Sequence, residues 1–241
     1  FSPSNNASPY IIEELEVNPF AFSNYLMMPL DGLCRFSTCK QILPTRAIEK
    51  IDKLLHPRTI CIAGISTKKV NIGRIILDNI LANGFAKESL TLIHPEASEI
   101  DTISTISDLS ELTQKVDLLI LAINAALVPD MIDQILQNNL AESVILISGG
   151  LGEQQEQQHL VAEIQGKIIA ARKESSQAPI FLGANSLGIL SQPGRYDSMF
   201  IPESKLPKTR GTYRRSIGLV SQSGAYMITR MSILTFLDPA Y

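Results

Sequence analysis

The sequence predicts an α/β protein built on a doubly wound parallel sheet with helices on both faces. Two observations predict it. Short runs of continuous apolar residues recur along the chain, such as 118–123 (LLILAI) and 144–147 (VILI). They lack the in–out alternation of a half-exposed strand, so they read as strands buried on both faces, the mark of a parallel sheet. Between them lie stretches with apolar residues at helical spacing, which supply the crossovers that parallel strands require.

The elements follow in order. A helix over 45–55 ends at His56, which is expected to cap it. Residues 59–63 (TICIA) read as a strand ended by Gly64. Ile72, Ile75, Ile76, Ile80 and Leu81 then stand at helical spacing, closed by Gly84 where a helix C-terminus favours glycine. Residues 90–93 (LTLI) form the next strand, stopped by His94-Pro95. The runs 118–123 and 144–147 follow, with a helix around 129–139 between them. A polar-faced helix over 153–172 and a last buried strand at 179–182 (PIFL) complete the pattern. Gly64, His94, Asn124, Gly149 and Gly183 all fall at strand C-termini. In a Rossmann-like sheet with right-handed crossovers, those ends gather on one edge and make the ligand crevice.

The flanks read differently. Residues 1–43 do not make a self-sufficient unit. Residues 191–215, rich in Pro, Gly, Ser and charge, read as a linker. A new strand is expected at 216–220, followed by Ser221-Gln222-Ser223-Gly224-Ala225 and an apolar helix. The expected organisation is therefore 1–43, a central domain at 44–190, a linker at 191–215, and the start of a further domain at 216–241.

Composition narrows the function. The 241 residues are 45% hydrophobic and 19% charged, and the formal net charge is −3. That balance argues against a nucleic-acid or anionic-membrane partner, either of which favours a basic excess. Cys34, Cys39 and Cys61 are too few and too scattered for a disulfide framework or a zinc site. No apolar stretch approaches the ~20 residues of a membrane span. The first residues (Phe-Ser-Pro-Ser) lack a basic region followed by an apolar one, so no signal peptide is read, and a cytoplasmic protein is expected. The absence of an initial Met suggests a chain that begins inside a longer product.

The loop 64–73 (GISTKKVNIG) joins a strand to a helix and can offer backbone N–H groups and a helix N-terminus to a phosphate. Its glycines are too far apart for the G-x-G-x-x-G of dinucleotide-binding proteins. By itself it is also compatible with a glycine that merely ends a buried strand. His56, His94 and His159 have no neighbouring Ser/Asp or metal pattern, so none is read as a nucleophile's base or a metal ligand.

Five loops taken in order resemble the CoA-binding domain shared by the succinyl-CoA synthetase α subunit and the ADP-forming acyl-CoA synthetases. They are Gly64-Ile65-Ser66 with Gly73, His94-Pro95-Glu96, Ile123-Asn124-Ala125, Ile147-Ser148-Gly149-Gly150-Leu151-Gly152-Glu153, and Gly183-Ala184-Asn185-Ser186-Leu187-Gly188-Ile189. The family's counterparts are Gly-Ala-Ser, Asn-Pro-Lys, Ile-Pro-Ala, Ile-Ser-x-Gly-hydrophobic-x-Glu and Gly-Pro-Asn-Cys-Leu-Gly-Ile. The resemblance implies that Gly64, Ile65, Ser66, Thr67, Lys69, Val70, Gly73, His94, Pro95, Asn124 and Ala125 hold the CoA nucleotide. It places Ser148, Gly149, Gly150, Asn185 and Ser186 along the pantetheine arm. Glu96 stands where the family has a lysine, and Asn124 and Ala184 where it has prolines. Lys68, Lys69 or Arg74 are the candidates to replace the missing positive charge.

The resemblance continues on both sides. Residues 216–225 (SIGLVSQSGA) are similar to the start of the family's ligase domain, where Ser221, Ser223 and Gly224 would face the phosphate of a phosphohistidine beyond Tyr241. Glu14-Leu15-Glu16-Val17-Asn18-Pro19 and Pro29-Leu30-Asp31-Gly32 are similar to the last motif of an ATP-grasp domain, with Asn18 and Asp31 as implied Mg²⁺ ligands. The implied reaction joins a small carboxylic acid to CoA, with ATP giving ADP and phosphate. The implied partners are the remaining domains of the same chain, in an oligomer or alone, and the fragment alone is expected to be inactive. Two alternatives stay open: a degenerate CoA-like scaffold or sensor, and an NAD-binding module in which Glu96 bonds a ribose.

Overall fold

A computed structural model describes residues 10–17, 20–24, 26–38, 47–149, 158–175, 177–206 and 218–234. The chain divides into two compact units, Phe1–Pro44 and Thr45–Tyr241.

The first unit consists of β1 (Ile11–Val17), β2 (Phe20–Ser23), β3 (Leu26–Pro29) and β4 (Gly32–Ser37). β1 pairs antiparallel with β4, Leu15 opposite Cys34, and β2 pairs antiparallel with β3. Large apolar side chains stand exposed on these strands, Phe22, Leu26 and Phe36 among them. Two-stranded ribbons without a packed face are marginal in water.

The second unit begins with α1 (Ile51–Leu55), entered through a 3₁₀ turn at Ile48–Lys50. The expected helix over 45–55 is shorter over its described part, and His56 Nδ1 meets Asp52 Oδ1 at 2.7 Å beyond its end. Then come β5 (Ile60–Ala63), α2 (Ile72–Ala82), β6 (Leu90–Ile93), β7 (Glu99–Ile100), β8 (Ile103–Ile106) and β9 (Val116–Leu121). They are followed by α3 (Val128–Asn138), β10 (Ala141–Leu146), α4 (Gln158–Glu174), β11 (Ile180–Leu182), β12 (Leu190–Ser191), β13 (Tyr196–Asp197) and α5 (Gly224–Leu234).

Seven strands form one sheet in the order β11-β10-β9-β5-β6-β8-β7, parallel throughout except for the β7 edge. The order runs outward from β5 in both directions, which is the doubly wound arrangement with its switch point between β5 and β9. Apolar side chains alternate between the two faces. Cys61, Leu119, Leu121, Val144 and Leu146 face Ile132 and Ile135 of α3 and Ile164 and Ile168 of α4. Ile60, Ile62, Leu118, Ile120 and Ile145 face Ile76, Leu77 and Ile80 of α2. Because both faces are covered, alternation of position does not become alternation of polarity.

The β7–β8 hairpin is not evident in the sequence. Its turn places Asp101 and Thr102 at φ of 53° and 67°, the left-handed pair a tight hairpin needs. No glycine marks it. Lys87 Nζ holds the turn instead, donating to Asp101 O at 2.8 Å and Thr102 Oγ1 at 3.0 Å.

The expected linker is the main correction. Over its described part, 191–206, the chain folds onto the second unit. Tyr196 is fully buried in the α2-side core, with its hydroxyl donating to Leu54 O at 2.5 Å. The buried Asn79 amide donates to Met199 O at 2.7 Å and Ile201 O at 3.0 Å. Turn-rich composition reads as a linker only where no apolar side chain finds a pocket, and here Tyr196, Met199 and Leu206 do. Met199 and Leu206 also pack with Met231 of α5. Residues 218–220 are not strand, contrary to expectation, and 216–217 lie outside the described residues.

Candidate functional site

The chain leaves the paired C-terminal ends of β5 and β9 toward opposite faces of the sheet, and the loop after β5 is built around Asn71. Asn71 is the N-cap of α2, with Oδ1 accepting the Arg74 N–H at 3.0 Å. The same oxygen accepts from Ser66 N–H at 3.3 Å, and Asn71 Nδ2 donates to Gly64 O at 2.7 Å. Ser66 Oγ accepts the N–H groups of Lys68 and Lys69 at 3.3 and 3.4 Å. One side chain thus ties the loop to the start of α2, and its importance escaped the motif comparison. An Asn directly before an apolar-periodic run was the available signal.

Two glycines make this geometry possible. Gly64 has φ +97°, and a Cβ there would lie 2.2 Å from Ala122 O. A Cβ on Gly73 would lie 2.5 Å from Gly64 O. The first turn of α2 therefore approaches the strand end as closely as backbone allows. Helix N-terminal N–H groups carry partial positive charge and suit a phosphate. Of the other implied residues in this loop, Ile65 is buried, while Thr67, Lys69 and Val70 are exposed.

The end of β6 closes on the same loop. His94 is buried, and its Nδ1 accepts the Glu96 and Ala97 N–H groups at 3.2 and 3.0 Å. The proton therefore sits on Nε2, which meets Thr67 Oγ1 at 3.5 Å. Pro95 and Glu96 are exposed at this corner. Arg74 does not turn toward it: its guanidinium pairs with Asp78 at 3.0 Å and Asp101 at 2.5 Å. Of the three candidates for positive charge, Lys68 and Lys69 remain without ion pairs among the described residues.

At the end of β9, Asn124 Oδ1 accepts the Ala126 N–H at 3.0 Å and starts the turn into α3, with Ala125 buried beneath it. Ser148, after β10, donates its hydroxyl to Ile123 O at 2.7 Å and so links these two corners. Asn185, at φ 53°, donates its N–H to Ser148 O at 3.2 Å, and Ser186 donates to Leu146 O at 3.2 Å. A Cβ on Gly149 would lie 3.7 Å from Asn185 Oδ1. Hydrogen bonds thus chain the loop after β5 to that after β6, and the loops after β9, β10 and β11 to one another. Gly150 lies outside the described residues.

The flanking candidates are held locally. Ser223 caps α5 by accepting the Tyr226 N–H at 3.2 Å, and Ser221 Oγ donates to Ser223 O at 2.9 Å. Gly224 sits against Leu187. In the first unit, the β1–β4 ladder ends with Val17 opposite Gly32, so Asp31 lies at its end and accepts the Gly32 N–H at 2.8 Å. Asn18 lies outside the described residues. No group of three or more His, Cys, Asp and Glu among the described residues could hold a metal ion. Asp31 is thus the one implied Mg²⁺ ligand among the described residues. Burial pushes the Cys61 thiol up to about 12, which leaves it inert at neutral pH. No described helix is long and apolar enough to cross a membrane.

The sheet order, the glycine-mediated approach at the switch point and the ring of strand-end loops define a Rossmann-like, doubly wound α/β domain. Residues 58–177 match the CoA binding domain family. It is 25% identical over 177 residues to a trans-feruloyl-CoA synthase of an unidentified prokaryote, covering 73% of this chain and 24% of that protein. It is 24% identical over 193 residues to ADP-forming acetate–CoA ligase II of Archaeoglobus fulgidus, covering 80% of this chain and 27% of that protein. The chain thus spans about a quarter of the length of these relatives. In fold it is similar to the acetyl-coenzyme A synthetase 1 of Candidatus Korarchaeum cryptofilum described as dinucleotide-forming. The TM-score is 0.57 and the identity 24%, over 77% of this chain and 37% of that one.

Proposed function

We propose that the chain is the CoA-binding part of an ADP-forming acyl-CoA synthetase. The observation that carries this reading is the backbone approach at the switch point, where Gly73 and Gly64 let α2 present its first N–H groups at the strand end. A pyrophosphate is the ligand group that such a helix start accepts, with Ser66 and Thr67 beside it and Lys68 and Lys69 nearby. His94-Pro95 and Asn124-Ala125 line the nucleotide, and Ser148, Gly149, Gly150, Asn185 and Ser186 line the pantetheine arm.

In the whole protein, this part holds CoA while a small carboxylic acid is activated with ATP, giving acyl-CoA, ADP and phosphate. The chain's own contribution is to bind and orient the thiol donor. The helix start at Ser221, Ser223 and Gly224 has the polarity to receive a phosphoryl group, since hydroxyls and N-terminal N–H groups stabilise its charge.

Calorimetric titration of the chain with CoA, with NAD as comparator, tests the reading. CoA heat in the micromolar to submillimolar range with NAD silent is the expected result. NAD binding with CoA silent overturns it.

A further inference from the structure

Glu96 follows the corner that closes β6, on the rim of the crevice. Its backbone is held there by the His94 ring, which accepts its N–H at 3.2 Å. Its side chain is exposed, and among the described residues its carboxylate has neither an ion pair nor a hydrogen bond. The nearest arginine in sequence on α2, Arg74, is occupied by Asp78 and Asp101. The carboxylate is thus an unneutralised charge beside the ligand path.

The end of the second strand of a doubly wound sheet is where an adenosine ribose lies when its pyrophosphate sits on the first helix. An acid at that position accepts hydrogen bonds from ribose hydroxyls, whereas a phosphorylated ribose calls for a cation there. Coenzyme A carries a 3′-phosphate on this ribose; its dephospho form carries a hydroxyl.

We propose that Glu96 is a specificity-determining residue that makes the crevice favour an unphosphorylated adenosine ribose, so that dephospho-CoA binds more tightly than CoA. The proposal rests on the CoA-binding reading and refines its ligand. Lys68 and Lys69 lie on the pyrophosphate loop and contribute to both ligands alike. The preference therefore tracks the charge at position 96. Solvent screens an exposed carboxylate, so the effect is modest.

The full chain, its Glu96→Lys variant and its Glu96→Gln variant are titrated calorimetrically with CoA and with dephospho-CoA at low salt. The native chain is expected to bind dephospho-CoA about 3- to 5-fold more tightly, and Glu96→Lys to invert the order by a similar factor. Glu96→Gln falls between them, and added salt compresses the native ratio. A native preference for CoA, or the same ratio in Glu96→Lys as in the native chain, overturns the proposal while leaving CoA binding intact. Silence of the native chain toward both ligands overturns the CoA-binding reading itself and this proposal with it.

Discussion

Asn71 Nδ2 donates to Gly64 O at 2.7 Å, across the whole length of the loop that leaves β5. The same residue caps α2 through its other amide atom. Loop shape and helix start are therefore one device. Asn71→Ala is expected to cost about 1 kcal/mol of stability through the lost cap. Ligand affinity should fall further than that, because Ser66 and Gly64 lose their tether at the same time. Urea unfolding and CoA titration of one variant separate the two effects. Equal losses in both would remove the organising role.

Gly73→Ala tests the close approach itself. Its Cβ would stand 2.5 Å from Gly64 O, a backbone atom that cannot rotate away. The start of α2 must move outward, and CoA binding should fall at least tenfold, a change of about 1.4 kcal/mol. Gly166→Ala serves as the control, since nothing lies within 4 Å of its Cβ position. It is expected to bind normally.

Acid sensitivity should trace to Glu142. Burial works to raise its pKa, but hydrogen bonds from Lys50 and Lys115 outweigh it and hold the carboxyl below its ordinary value of 4.5. A depressed carboxylate stabilises the fold fully above its unfolded pKa and loses that contribution as pH falls through the folded one. Lys50 Nζ, itself buried, lies 2.7 Å from Glu142 and also donates to Gln177 O. Lys50→Met should therefore destabilise the chain by about 1–3 kcal/mol at pH 7. It should also shrink the loss between pH 7 and pH 3. Denaturant midpoints at the two pH values give both numbers.

The segment over 196–206 is locked by Asn79, which serves two of its carbonyls. Asn79→Leu leaves both without this donor in a buried setting, at a cost of about 1–3 kcal/mol. Limited proteolysis should then cut within 196–206 sooner than in the native chain. Unchanged cleavage would show that the apolar packing of Tyr196, Met199 and Leu206 anchors the segment without Asn79.

The strands β5, β9 and β10 were legible because burial on both faces leaves continuous apolar runs, whereas β6 and the edge strand β11, only partly buried, were legible from their short apolar runs and the His94 and Gly183 that end them. The order of strand-end loops was legible for the same reason: a doubly wound sheet brings them to one edge whatever their side chains. The β7–β8 hairpin was not, since an edge strand needs no such run and its turn is held by Lys87 from a distant loop. Nor was the docking of Tyr196 and Met199, which depends on Leu54 and Asn79, residues far away in the chain.

The sequence alone determined five of the sheet's seven strands, their parallel sense and the residues gathered at their C-terminal edge, because periodicity and strand termination are local properties of the chain. Tertiary structure decided which charges face that edge and which segments belong to the domain. Arg74 turns to Asp101, Glu96 stays unpaired, and the turn-rich stretch over 191–206 packs down. Each of these outcomes depends on a partner that sequence order does not name, and only packing brings it within hydrogen-bonding or van der Waals reach.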